Sequence, residues 1–334
     1  MAVTPASTDI AGLRARYQRM EQVVPEVEWL LHSPYVSAID ELKRRRNAIV
    51  LAHNYMSPEI FHGVADLTGD SLDLARQAVE TDAEVIVLAG VHFMAETVKL
   101  LNPQKTVLIP DLEAGCSLAD AVTAADVRLL RERYPGAPVV TYVNTSAEVK
   151  AESDICCTSS NAIEIVDSLG ADQVVFLPDE YLGKWVALHT DVDLVLWKGH
   201  CVVHERFTRD EIQRFRAAYH GSLEVLAHPE CPPEVLAEAD YVGSTSGMIR
   251  RVAEVEPPRV LMVTECSMSD NVAVEYPELE FVRPCNICPH MNRITLPKIL
   301  ESLEYMRHQV EIEPDVAGRA RRAVARMMDV SRGS

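Results

Sequence analysis

The chain has 334 residues, 48% of them hydrophobic, and a formal net charge of −18. That length and apolar content allow a large buried core and two or three domains, while the negative balance excludes binding to nucleic-acid backbones or anionic membrane surfaces, which need a basic footprint. No apolar run approaches the roughly 20 residues of a membrane-spanning helix, and the N-terminal region, carrying Glu21, Glu26 and Glu28, does not read as a secretion signal, so a cytoplasmic protein with small-molecule partners is expected.

Residues 1–38 read as a helical lead-in: Leu13, Tyr17, Met20 and Val24 recur at helical spacing, and Ser33-Pro34 marks the expected end. The basic run Lys43 to Arg46 closes a further predicted helix, where positive charge suits the C-terminal dipole. Short apolar runs then alternate with amphipathic stretches, at 48–52, 84–89, 106–109, 139–143, 174–177, 194–197, 223–227 and 260–263. They predict buried parallel strands with helical crossovers. About nine such strands can close into a (β/α)₈ barrel or divide into three small sheets with helices on both faces. From Pro314 to Val330, Ala, Val and Met interleave with arginines, predicting an amphipathic helix packed on the body.

Polar residues follow the predicted strand ends: His53-Asn54-Tyr55, Asn144-Thr145, Ser159-Ser160, His228-Pro229-Glu230 and Gly243 to Gly247. Ligands bind beyond the carboxyl ends of parallel strands, so these positions should form the pocket. His228 and Glu230, two apart across a proline, offer a general base and a proton carrier; a histidine satisfied by structure alone is the alternative. In Gly243-Ser-Thr-Ser-Gly247 a threonine stands where a nucleophile elbow needs serine, so an anion-binding turn at a helix N-terminus suits it better. No glycine-rich dinucleotide or nucleoside-triphosphate loop occurs.

Eight cysteines without a secretion pattern are expected as thiols or metal ligands rather than a disulfide framework. Cys116, Cys201 and Cys288 are separated by about 85 and 87 positions. Even spacing of a soft ligand suggests three repeated lobes around one metal centre, which favours three sheets over a barrel. Three thiolates would also leave a coordination position for a substrate oxygen, implying Lewis-acid chemistry. Cys156-Cys157 read as small buried hydrophobes, Cys231 and Cys266 stay undecided, and Cys285-Asn-Ile-Cys288 is a single CxxC, weak by itself. Two other readings compete: a zinc-dependent lyase or hydrolase, its ion held by cysteines or by a mixture with His228 and Glu230, and a non-catalytic iron-sulfur sensor.

The strings His53-Asn-Tyr55, Gly69-Asp-Ser71-Leu, Gly90-Val-His-Phe-Met-Ala-Glu96-Thr, Tyr142-Val-Asn144-Thr and Cys288-Pro-His-Met resemble the quinolinate synthase family in order and spacing, over residues 38 to 305. The resemblance implies an α/β fold of three αβα lobes with small parallel sheets, in pseudo-threefold arrangement around one central 4Fe-4S cluster. Its ligands would be Cys116, Cys201 and Cys288, with Cys285 a neighbour found in some members. The lobes are expected at 39–122, 123–206 and 207–299, with the C-terminal helices of 300–334 packed on the first. The implied reaction condenses iminoaspartate with dihydroxyacetone phosphate to quinolinate, phosphate and two waters, a transferase step of de novo NAD biosynthesis. An L-aspartate oxidase is the expected upstream supplier. By the same resemblance Glu230, His228, Tyr55 and His53 handle protons, and Ser71, Tyr142, Asn144, Ser159 and Thr245 join His53, His228 and Glu230 in binding substrate. Cys266-Ser-Met-Ser, after Thr264-Glu265, departs from the glycine-bearing turn of many relatives.

Overall fold

Strands that are apolar along their whole length need cover on both faces, and the runs above obtain it in three separate parallel sheets. A computed structural model describes residues 9–220 and 222–331. The first sheet holds β1 (Ala48–His53), β2 (Leu67–Gly69), β3 (Val85–Ala89) and β4 (Thr106–Leu108). The second holds β5 (Val139–Tyr142), β6 (Ile155–Cys157), β7 (Gln173–Leu177) and β8 (Asp193–Leu196). The third holds β9 (Glu224–Ala227), β10 (Tyr241–Val242), β11 (Arg259–Val263) and β12 (Glu280–Val282). Their orders are β2-β1-β3-β4, β6-β5-β7-β8 and β10-β9-β11-β12, so one topology occurs three times.

Each sheet keeps its own edges, which rules out the barrel, and helices on both faces make three αβα lobes. Among the described residues there are twelve strands, eight of them at the apolar runs located in the sequence, against an expected total of about nine. The four missing from the sequence reading, β2, β6, β10 and β12, are two or three residues long and lie at sheet edges. β2, β10 and β12 have no more than two consecutive apolar residues, too short a run to detect. Every residue of β3 is buried, and each fully buried Val, Ile or Leu contributes about 1.5–3 kcal/mol.

Two expectations at the chain ends are corrected. The N-terminal segment forms helices Ile10–Met20 and Glu26–Arg46, and the second runs through Pro34 rather than ending there. Proline removes the donor that would serve the carbonyl of Leu30. Leu30 is 64% exposed, so the bond is lost on the outer side of the helix, while Trp29, Val36 and Ile39 anchor its buried face.

At the other end, Leu296–Tyr305 packs on helix Glu26–Arg46. Helix Pro314–Val330, however, lies chiefly against helix Ala147–Ala151 and β6 of the second lobe, and also touches helix His92–Leu101 of the first. Its buried stripe of Ala320, Ala323, Val324, Met327 and Met328 covers both lobes. Arg321 donates to the Leu100 carbonyl at 2.6 Å and Arg319 to Glu152 at 3.0 Å, fixing it across the junction.

Candidate active site

The threefold topology places corresponding residues of the lobes around one cavity. Beyond the first strands stand His53 and Tyr55, then Tyr142 and Asn144, then His228 and Glu230. Beyond the second strands stand one hydroxyl apiece, Ser71, Ser159 and Thr245. Beyond the fourth strands stand Cys116, Cys201 and Cys288. All the expected ligands, proton carriers and substrate binders line this cavity, whereas Asn54, Thr145, Ser160, Pro229 and, of the 243–247 turn, all but Thr245 are not among its lining residues. Ser71 and Thr245 open helices whose preceding residues, Asp70 and Ser244, cap backbone N–H groups, so the free N–H groups and dipoles there favour an anionic ligand.

Buried polar side chains join the lobes. The Tyr142 hydroxyl donates to Oε1 of Glu230 at 2.6 Å, and Nδ1 of His204 lies 2.9 Å from its Oε2. On its other side His204 meets the Thr264 hydroxyl at 2.9 Å through Nε2, and that hydroxyl bonds Tyr55 at 2.6 Å. The groups Tyr55, Thr264, His204, Glu230 and Tyr142 thus run in series through all three lobes, the His204–Glu230 link being a 2.9 Å contact not aligned as a hydrogen bond. His228 stacks on His204 with ring centres 4.7 Å apart. Asn54 donates to Thr245 at 2.9 Å, tying the first lobe to the third.

His204 and Thr264 are functional candidates that the sequence reading did not select. The motif containing Cys201 ends in His204, three residues on, which is the available signal for it. Thr264 carries none, because only the packing of β11 beside β9 brings it to the relay.

Burial sets the protonation of these groups. It lowers His53 to about 4 and His228 to about 3, so both imidazoles are neutral at pH 7. It also pushes the phenols of Tyr55 and Tyr142 well above 10, the nearby Glu230 charge adding to the effect. Burial would raise Glu230 too. The His228 and His204 imidazoles and the Tyr142 hydrogen bond outweigh it, holding the carboxyl below the usual range and ionised.

The three cysteine turns are built alike. Each cysteine carbonyl accepts the N–H four residues on at 3.0 Å, from Asp120, Glu205 and Asn292. One-turn helices follow at Ala119–Ala121, His204–Arg206 and Met291–Arg293. The backbone N–H groups two and three positions after each cysteine stabilise its thiolate: Leu118 and Ala119, Val203 and His204, His290 and Met291. Desolvation opposes this, raising all three thiols and Cys116 to about 12. Thiols poised between burial and a ring of amides fit metal ligands, because a bound cation supplies the missing positive charge. The Sγ of Cys201 also converges with His204 and Glu230 to within 4.8 Å, and the Nδ1 of His204 has no aligned hydrogen-bond partner. The centre is a metal-binding site.

Cys266 and Cys285 form a disulfide, correcting for these two the expectation that the cysteines are thiols or metal ligands. The Cys266 N–H bonds the Asn286 carbonyl at 3.1 Å, which brings the two Cα atoms within 4.9 Å. Cys156 and Cys157 are buried hydrophobes on β6, and Cys231 is a buried thiol.

Three αβα lobes that direct equivalent thiols and a shared network of buried polar side chains into one cavity define an α/β protein with a metal-binding centre. The chain belongs to the quinolinate synthetase A (NadA) family, whose model matches residues 37–329. It is 65% identical to quinolinate synthase 2 of Mesorhizobium japonicum over 94% of this chain and 97% of the relative. It is 62% identical to the quinolinate synthase of Agrobacterium fabrum, over 94% and 91%. For that of Xylella fastidiosa the identity is 60%, over 88% and 87%. No described helix is long and apolar enough to cross a membrane.

Proposed function

We propose that the chain condenses iminoaspartate with dihydroxyacetone phosphate to give quinolinate, phosphate and two waters, a transferase step of de novo NAD biosynthesis in the cytoplasm. The observation that carries this reading is that three equivalent cysteine turns line the same cavity as Glu230 and its neighbours Tyr142 and His204. The matching cysteine turns support a 4Fe-4S cluster on Cys116, Cys201 and Cys288. Such a cluster, held by those three thiolates, would supply Lewis acidity toward a substrate oxygen.

The protein's own groups supply the remaining chemistry. Ser71, Ser159 and Thr245, with Asn144 and two helix N-termini, offer neutral donors to carboxylates and phosphate in a strongly acidic chain. Glu230, ionised and fully enclosed, is the base that takes protons during enolisation and dehydration. Its basicity rises when substrate displaces the hydroxyl of Tyr142 or the imidazole of His204. Neutral His53 and His228 accept or pass a proton beside it, and Tyr55 returns one through Thr264 and His204. A non-catalytic sensor would have no use for a buried relay of this length, and family membership at this identity does not favour a zinc lyase. An L-aspartate oxidase remains the proposed supplier of iminoaspartate.

The test is anaerobic reconstitution with iron and sulfide, followed by incubation with dihydroxyacetone phosphate and iminoaspartate generated in place. Quinolinate and phosphate should appear in equal amounts. Phosphate release without quinolinate would sink the assignment.

A further inference from the structure

Two buried carboxylates take no part in the relay. Asp179 and Glu265 are each 1% exposed and occupy corresponding positions, at the N-caps of the helices that follow β7 and β11. In both, one oxygen caps its own helix: Oδ1 of Asp179 accepts from the Leu182 N–H at 2.8 Å, and Oε2 of Glu265 from the Ser267 N–H at 2.8 Å. The second oxygen reaches the backbone of a cysteine in the next loop. Oδ2 of Asp179 accepts the Cys201 N–H at 3.1 Å, and Oε1 of Glu265 accepts the Cys288 N–H at 3.3 Å. The first lobe differs, since Val91 is the corresponding N-cap and makes no such bond.

We propose that Asp179 and Glu265 are positioning residues that hold the Cys201 and Cys288 turns in place for the metal centre, each carboxylate tying its lobe's third-strand helix to the ligand after the fourth strand. The inference rests on the reading of those cysteines as cluster ligands. A cysteine on a loop can drift, and a ligand site keeps its metal only when outer-shell bonds fix the first. Other contacts agree with that role. Ser117, next to Cys116, donates to the His200 carbonyl at 3.1 Å and accepts the Val202 N–H at 3.2 Å, bracketing Cys201 from the first lobe. In the third lobe the Cys266–Cys285 disulfide starts beside Glu265 and ends three residues before Cys288.

Asp179→Asn and Glu265→Gln separate the two bonds, because an amide oxygen can still cap the helix while its NH₂ faces the cysteine N–H donor to donor. Thr123→Ala is the control: it removes a capping box in the second lobe that touches no cysteine. The readout is iron and sulfide per chain after anaerobic reconstitution, then the rate at which a chelator strips the iron, with circular dichroism to confirm folding. Both amide variants should lose iron about 10–100-fold faster than wild type, and T123A at the wild-type rate. Should D179N fail to fold, E265Q tests the same claim in a different lobe. Wild-type retention in the amide variants, or equal loss from T123A, overturns the positioning role alone. Wild-type protein that takes up no iron-sulfur cluster overturns the cluster reading and this inference with it.

Discussion

Replacing Glu230 by Gln isolates the proposed base. Glu230 is 3% exposed and its carboxylate is held from both sides by Tyr142 at 2.6 Å and His204 at 2.9 Å. Glutamine keeps the shape and one acceptor oxygen but can neither ionise nor take a proton. General-base catalysis contributes about 10²–10⁴-fold, which at roughly 1.4 kcal/mol per decade is about 3–5 kcal/mol of barrier. Weakening the charge-assisted bond from Tyr142 adds roughly 1 kcal/mol. E230Q should therefore form quinolinate at least a hundredfold more slowly in kcat, with iron and sulfide content equal to wild type. The assay is anaerobic turnover followed by chromatographic quantitation of quinolinate. A variant with full cluster and kcat within tenfold of wild type would refute Glu230 as the base.

Four further outcomes follow from the same geometry. Tyr142→Phe removes a donor that holds the Glu230 carboxyl low, so the acid limb of the kcat/KM profile should move to higher pH and kcat should fall about tenfold; an unmoved limb contradicts the coupling. Cys116→Ala should abolish cluster absorbance and turnover while circular dichroism stays near wild type, and retained iron would dismiss it as a ligand. His53 and His228, lowered to about 4 and about 3 by burial, stay neutral in the fold while the unfolded chain takes up protons near pH 6.5. Their contribution to stability is present above pH 6.5 and is lost as pH falls toward the lowered values, by about 1.4 kcal/mol per pH unit for each; thermal unfolding that is flat from pH 7 to 4.5 would contradict this. Denatured, cluster-free protein should titrate six of its eight cysteines before reduction and all eight after, and eight at the outset would remove the Cys266–Cys285 bond.

What the sequence determined by itself is carried by long-period and local signals. The even spacing of Cys116, Cys201 and Cys288, with buried apolar strands between them, already implied three lobes, because a repeated unit leaves its period in the chain. His53, Tyr55, Glu230 and Thr245 were legible as pocket positions because each stands at or just after a strand end, where a parallel sheet opens its pocket, while Tyr142, inside a predicted strand, came only with the family resemblance. Tertiary structure decided the remainder, because those features depend on residues distant in sequence. Edge strands such as β10 gain their identity only from a neighbour's hydrogen bonds. Thr264 becomes a relay member only when β11 lies beside β9, and Cys285 finds Cys266 through a backbone bridge no CxxC pattern announces. Pro34 stays inside its helix, where the residue that loses its bond lies on the exposed side and Trp29, Val36 and Ile39 anchor the other. The link from Asp179 to Cys201 likewise needed coordinates, since a carboxylate that caps a helix looks the same in sequence whether or not its second oxygen has anything to hold.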